Sequence, residues 1–286
     1  MCEISFIYAL DSDMSESDVR ELLRMMHYGS SVNPHGWGVF SDIAPVTKHP
    51  VEFDMTKDPK LAAKYADSKW AIGHVRHATH GAHTIDNTHP LVFKDITLVH
   101  NGVIHNEAEL RQKFHIPRSP EVDSFVIAWL LNHFRHIEKD WESVVKAVTK
   151  ELRGSFSVFF FDRKEKRLFY FRDTSEFHFR LIETSDGKHY IVGNTTQSSL
   201  QVAFARSMYG FTINAAQTLS YLHPQESKLY EFGESGVMVL CELPSPPAEV
   251  TTLIPCDYGF ARAKSDEDEE SDEDDDDICG ESYGRD

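Results

Sequence analysis

The sequence predicts a layered α+β domain, and three observations predict it. A largely apolar strand stands at the start of the chain, amphipathic helices fill much of the first half, and aromatic-rich strands joined by charged or polar turns fill the second. The 286 residues are 41% hydrophobic and 12% aromatic, enough to bury the core of one large domain or two small ones.

Each element has a local reason. "CEISFIYAL" sets Ile4, Phe6 and Tyr8 against Ser5 and Ile7, a largely buried strand. In "SESDVRELLRMMHYG", Ser15 and Asp18 make a capping box, Val19, Leu22, Leu23 and Met26 form one apolar stripe, and Gly29 is the expected stop. "HGWGVF" starts a glycine-rich strand, and "DPKLAAKYADS" is a short helix. "KWAIGHVRHATHG" begins as a strand and ends in a histidine-rich loop. "ITLVHNGVIHN" reads as a buried strand entering a sharp Asn-Gly turn. "SPEVDSFVIAWLLNHF" is a helix beginning near Ser119 or Pro120, and "DWESVVKAVTKEL" is a second one. "RGSFSVFFFDRKEKRLFYFRD" is a hairpin around a charged turn. Strands follow near "FRLIETS" and "HYIVGN", a helix near "QSSLQVAFARSMYG", and terminal strands near "TLSYL" and "KLYEF".

Charge divides the chain unevenly. The formal charge is −17, and residues 265–286 hold 13 acids and one Arg, leaving 33 acids against 28 bases, a net −5, for the rest. A run of like charges repels itself, so 265–286 is expected as a disordered acidic tail, first for solubility and second for docking onto a basic partner. The expected organisation is a domain at 2–240, a proline-containing exit segment at 241–264, and the tail at 265–286. No basic patch points to nucleic acid, and no apolar stretch reaches the length of a membrane span. The four cysteines, Cys2, Cys241, Cys256 and Cys279, form no CxxC pair, and no signal peptide is visible; a cytoplasmic location is expected.

Three segments are hard to explain as core: Cys2 itself, "GHVRHATHG" at 73–81 and "HNGVIHN" at 100–106. Together with Asp123, "NTHP" at 87–90 and "HGWG" at 35–38, they resemble the class II glutamine amidotransferases, which are N-terminal-nucleophile enzymes. The resemblance covers about residues 2–235 and rests on four motifs in the right order rather than on any one. It implies a four-layer αββα sandwich with mostly antiparallel sheets, built around a thiol nucleophile. It also implies a loop containing Arg76 that closes over bound glutamine. Many members carry Trp where this chain has His77, a position associated with gating the route of ammonia.

The residue chemistry agrees with that resemblance. A cysteine at the start of a processed chain has its own α-amine, whose ordinary pKa of about 7.7–8.0 lies below the thiol's ~8.5, as a built-in base. This requires removal of Met1; the alternative is a retained Met1 and a merely packed Cys2. Asn101's amide and the Gly102 N–H are candidate oxyanion donors, the alternative being an ordinary Asn-Gly turn. Arg76 suits a two-pronged grip on an α-carboxylate. Asp123 suits an α-ammonium, or else is a simple helix-start acid. His77, Thr79, His80 and His89 complete a polar wall. His74, His77, His80 and His83 recur every three residues, which in a strand alternates faces; with no Cys or acid partners at metal spacing, neither a metal nor another cofactor is expected.

The expected activity is hydrolysis of glutamine's γ-carboxamide through a cysteine thioester, with ammonia handed to a separate synthetase partner. A self-contained γ-glutamyl amide or peptide hydrolase using the same site is the alternative, and an inactive scaffold that binds partners is a third reading.

Overall fold

The first strand is apolar on both faces, and that decides the layering. Ile4, Phe6 and Tyr8 pack on one side, Ile7 and Ala9 on the other. The computed structural model describes residues 2–78, 81–208, 211–214, 216–233 and 236–244. Their order is β1 (Glu3–Ala9), α1 (Glu16–Ser30), β2 (Trp37–Ser41), β3 (Thr47–His49), α2 (Leu61–Tyr65), β4 (Trp70–Val75), β5 (Leu91–Phe93), β6 (Ile96–Ile104), α3 (Glu107–Lys113), α4 (Ser124–Arg135), α5 (Trp141–Glu151), β7 (Gly154–Asp162), β8 (Arg167–Arg172), β9 (His178–Thr184), β10 (His189–Asn194), α6 (Gln197–Val202), β11 (Ala205–Met208), β12 (Phe211–Asn214), β13 (Ala216–Leu222), β14 (Lys228–Gly233) and β15 (Gly236–Glu242).

Two sheets stack face to face. One has the order β13-β9-β10-β1-β4-β2-β3 and the other β15-β14-β8-β7-β6-β5, while β11 and β12 form a separate pair. Every pairing within them is antiparallel. The space between the sheets is aromatic: Phe6 meets Phe159 at 5.0 Å and Phe232 at 4.9 Å, and Trp70 meets Phe161 at 4.9 Å. Outside the first sheet, α1, α2 and α6 bury Val19, Leu22, Met26, Leu61 and Leu200. Outside the second, α4 and α5 bury Val126, Leu130, Trp141 and Val145. The described residues therefore form the expected αββα four-layer sandwich. Among the described residues no helix is long and apolar enough to cross a membrane.

Several local expectations need correction. The Ser15–Asp18 capping box is present, but Gly29 lies inside α1, which continues to Ser30. Gly29 is there for clearance: a Cβ would sit 2.5 Å from the Glu3 carboxylate. The segment "HNG" makes no turn. β6 runs through it in register with β7, Asn101 opposite Ser157 and Gly102 opposite Phe156. α4 starts at Ser124 rather than near Ser119, because the Asp123 side chain accepts the Ser124 N–H. The helix expected over "QSSLQVAFARSMYG" stops at Val202. Phe204 takes a positive φ of 56° and donates its N–H to Glu21 Oε2, and Ala205–Met208 becomes a strand. Beyond these, α3 and the strands β3, β5, β12 and β15 had no clear periodic signal. β15 runs to Glu242, two residues into the segment expected as an exit, while residues 245–286, the acidic tail included, lie outside the described residues.

The sandwich depends on interlocked rings at its centre. Phe159 is fully buried and meets Phe6, Tyr170, Phe177 and Phe232 at 4.5–5.9 Å. Phe159→Ala is expected to lower unfolding free energy by about 3–5 kcal/mol in urea titration, with little change in slope; a loss under ~1 kcal/mol would contradict this packing.

Candidate active site

β1 pairs with β4 so that Glu3 faces Val75, and Cys2 falls one residue beyond the ladder, beside Arg76 and His77. The His77 N–H donates to Cys2 Sγ at 3.3 Å, and the thiol lies 3.4 Å from the His77 carbonyl oxygen, which accepts from it. Burial pushes the thiol pKa up, while the His77 N–H and the Arg76 charge pull it down. The sulfur is thus mostly protonated at neutral pH, so any nucleophilic role calls for a base.

Arg76 is buried, although its side chain is among the most costly to desolvate. Nη1 donates to Ala82 O at 3.2 Å. Burial lowers its pKa, and the charges of Cys2 and Asp123 oppose that shift, so the guanidinium lies in the field of both groups. The loop after Arg76 is braced from a distance. Asn87 Nδ2 donates to the same Ala82 carbonyl at 3.1 Å, and Asn87 Oδ1 accepts the Glu121 N–H at 2.9 Å. Lys48 Nζ donates to the carbonyls of Thr88 at 2.7 Å and Pro90 at 3.1 Å. Lys48 is buried enough to push its pKa down to about 8.

Asp123 is held as an acceptor at the head of α4. Oδ2 accepts from the Ile104 N–H at 2.7 Å and Oδ1 from the Ser124 N–H at 2.8 Å. Behind it stands His100, whose Nε2 lies 3.4 Å from the Ser155 carbonyl and whose Nδ1 lies 2.8 Å from Ser124 Oγ. A carbonyl only accepts, and burial keeps His100 neutral, so Nε2 carries the proton and Ser124 donates to Nδ1. The sequence alone does not mark Ser124 as a partner of His100, because their contact crosses from β6 to α4 and has no fixed spacing.

Asn101 is buried and its Oδ1 has no hydrogen-bond partner among the described residues. Gly102 has φ 142°, and a Cβ there would lie 2.0 Å from the Ser155 carbonyl oxygen, so no other residue fits. Both lie on β6, which contacts β1 across the sandwich, yet no hydrogen bond joins Asn101 to Cys2 among the described residues. The structure therefore joins Cys2, Arg76 and His77 directly, places Asp123 within their field, and leaves Asn101 and Gly102 on the adjoining strand. Thr79 and His80 lie outside the described residues.

The histidines divide differently from a strand's alternation, because β4 ends at Val75. His74 stays in the ladder and packs on His89 at 4.3 Å between ring centres, both buried. Burial drives His74 to a pKa of about 3 and His89 well below its ordinary value, so both are neutral. His77 and His83 instead converge on His35, at 5.0 and 4.4 Å. Among the described residues no group of three His, Cys, Asp or Glu side chains is arranged to hold a metal ion.

The fold is an αββα sandwich with a cysteine immediately before its central strand. Residues 74–198 match the family described as "Glutamine amidotransferase domain", a stretch that contains Arg76, Asn101, Gly102 and Asp123 but not Cys2. The glutamine–fructose-6-phosphate aminotransferase of Zymomonas mobilis subsp. mobilis is 42% identical over 102 residues, 34% of this chain and 17% of that protein. The enzyme of the same name from Thermococcus kodakarensis is 38% identical over 107 residues, 35% of this chain and 17% of its own length. The chain thus spans about a sixth of the length of these relatives. Among solved structures, the glutamine phosphoribosylpyrophosphate amidotransferase of B. subtilis, complexed with ADP and GMP, superposes with a TM-score of 0.60 at 18% identity, over 83% of this chain and 48% of that one. The allosteric regulatory enzyme of purine biosynthesis does so with a TM-score of 0.62 at 18% identity, over the same shares. Over residues 74–198 the chain is thus similar to glutamine amidotransferase domains.

Gly102→Ala is expected to destabilise the fold by about 2–5 kcal/mol, from strain at positive φ and overlap with Ser155. Thermal unfolding checks this; an unchanged midpoint would mean that β6 and β7 separate there freely.

Proposed function

We infer that the protein hydrolyses the γ-carboxamide of glutamine to glutamate and ammonia, with Cys2 as the nucleophile once Met1 is removed. The observation that carries the reading is the convergence of Cys2, the buried Arg76 and the braced Asp123 at one end of the sandwich. Arg76 takes the substrate α-carboxylate and Asp123 the α-ammonium. The freed α-amine of Cys2 takes the thiol proton, the sulfur adds to the γ-carbonyl carbon, and a tetrahedral oxyanion forms. Asn101's side-chain N–H and the Gly102 N–H are the donors assigned to that oxygen. The proton then passes to the departing nitrogen, ammonia leaves, and water cleaves the thioester to release glutamate and the thiol.

His77, Thr79, His80 and His89 are assigned to the walls of the pocket. On this reading ammonia passes to an acceptor on a separate synthetase partner, in keeping with the aminotransferase and amidotransferase names of the similar proteins.

Intact mass is expected to show Met1 absent. Ammonia release from glutamine should fall by about 10³-fold or more in Cys2→Ala, and an electrophilic ketone analogue of glutamine should label Cys2 in the unaltered protein. A retained Met1, or a label on Cys241, would reject the nucleophile. A parallel panel of γ-glutamyl peptides decides the substrate: faster cleavage of any of them than of glutamine would replace the glutaminase assignment with a γ-glutamyl hydrolase.

The pH dependence follows from the base. A protonated α-amine accepts nothing, so kcat/KM should fall about tenfold per pH unit below that amine's pKa, ordinarily about 7.7–8.0. A flat profile from pH 6 to 8 would remove the amine from the mechanism.

A further inference from the structure

We propose that His35 is a positioning residue for the loop carrying Arg76, and that its neutral imidazole makes the loop's hold on the site pH-dependent. The inference concerns the same site and rests on the amidohydrolase reading for its catalytic meaning, though not for its geometry.

Three hydrogen bonds lace residues 35–36 to residues 76–78. The His35 N–H donates to Arg76 O at 3.0 Å, and the Arg76 N–H donates to Gly36 O at 2.7 Å. The third comes from a side chain: the Ala78 N–H donates to His35 Nδ1 at 2.9 Å. Ala78 follows His77, whose own N–H holds the Cys2 sulfur. The ring is flanked by His83, stacked at 4.4 Å, and by His77 at 5.0 Å. His77 is itself tethered, its Nδ1 lying 3.1 Å from the Val32 carbonyl, so that Nδ1 carries a proton and donates. Residues 32–35 thus clasp the loop through two imidazoles.

An Nδ1 that accepts from an amide must hold a lone pair. Protonating His35 turns that acceptor into a donor facing another donor, and the bond is lost. The titratable and charged groups facing the ring are His83, His77 and Arg76, bases or cations that disfavour a second charge. Partial burial, first, and these three neighbours push the His35 pKa below its ordinary 6.5. The sign follows: the clasp is complete above pH 6.5 and is lost as pH falls through the lowered value.

The test is amide hydrogen exchange at Ala78, read by mass spectrometry with residue-level fragmentation from pH 4.5 to 8 and corrected for intrinsic rates, on the full chain. The unaltered protein is expected to protect Ala78 at pH 8 and to lose at least tenfold protection as the pH falls toward 4.5. His35→Asn, whose Oδ1 takes the place of Nδ1 without titrating, should keep the protection into acid. His35→Phe, which keeps the ring but not the acceptor, should lose it at every pH. Exchange in β1 and β6 serves as the folding control and should be unchanged in both variants. Labelling of Cys2 by the ketone analogue should slow in His35→Phe and be rescued in His35→Asn. Full Ala78 protection in His35→Phe, or the same acid loss in His35→Asn as in the unaltered protein, overturns the proposal. If the exchange pattern holds while neither glutamine nor any γ-glutamyl compound is cleaved, the clasp stands and the assigned activity falls.

Discussion

The register between β1 and β4 is the constraint on which the site depends. With Glu3 opposite Val75, Cys2 has only one place to go, next to the backbone of Arg76 and His77. Side chains on a strand alternate with a period of two, so a slip of one residue would send Cys2 into the helix layer and Glu3 into the aromatic interior. The strand start is pinned against such a slip. The Ile4 N–H donates to Thr195 Oγ1 at 3.0 Å, the Thr195 N–H returns to Ile4 O at 3.1 Å, and Asn194 Nδ2 donates to Ser5 Oγ at 2.9 Å. Glu3 itself is buried beneath α1, its pKa raised by that burial and its Oε2 accepting from Thr196 Oγ1. An acid with so little room to move is an unforgiving register marker.

Desolvation then sorts the charges. His74, His89 and His100 are all driven neutral by burial, so three potential cations next to the site carry no charge at pH 7. The side-chain cation that acts on the sulfur is Arg76, in addition to the terminal amine, and a guanidinium stays charged at any pH where the protein is folded. A neutral imidazole is both donor and acceptor, and His35 and His100 use the acceptor nitrogen to bind a neighbouring group, the Ala78 amide and the Ser124 hydroxyl. His35 and His100 thus act as hydrogen-bonding struts, whereas His74 and His89 stack on each other with no hydrogen-bond partner on either ring among the described residues.

The legible parts of the chain are those whose signal is local. The Ser15–Asp18 box, the apolar stripe of α1 and the hairpin of β7 and β8 all follow from residues a few positions apart, and all are present. The misreadings share one cause, contacts made by remote residues. Asn101-Gly102 has the composition of a turn, but nine consecutive pairings with β7 hold it straight. "QVAFARSM" has helical spacing, but Glu21 captures the Phe204 amide and ends the helix. Gly29 looks like a terminator and is instead clearance for a carboxylate from another layer.

The candidate site divides in the same way. Cys2, Arg76, Asn101, Gly102 and Asp123 stand out in the sequence as candidates because the chemistry proposed for them demands particular residue types in a particular order, and a thiol, a guanidinium, an amide and a carboxylate have few substitutes. Asn87, Ser124, His35 and Lys48 act by bracing backbone carbonyls, amides or a neighbouring ring across gaps of up to about 40 residues, and any residue of suitable length and polarity can do that. Residue type alone thus determined which groups are available for chemistry and that the chain would layer helices on antiparallel sheets. Which groups meet, which histidines lose their charge, and which loop is clasped were decided by tertiary structure, because distance and desolvation exist only after the sheets have closed.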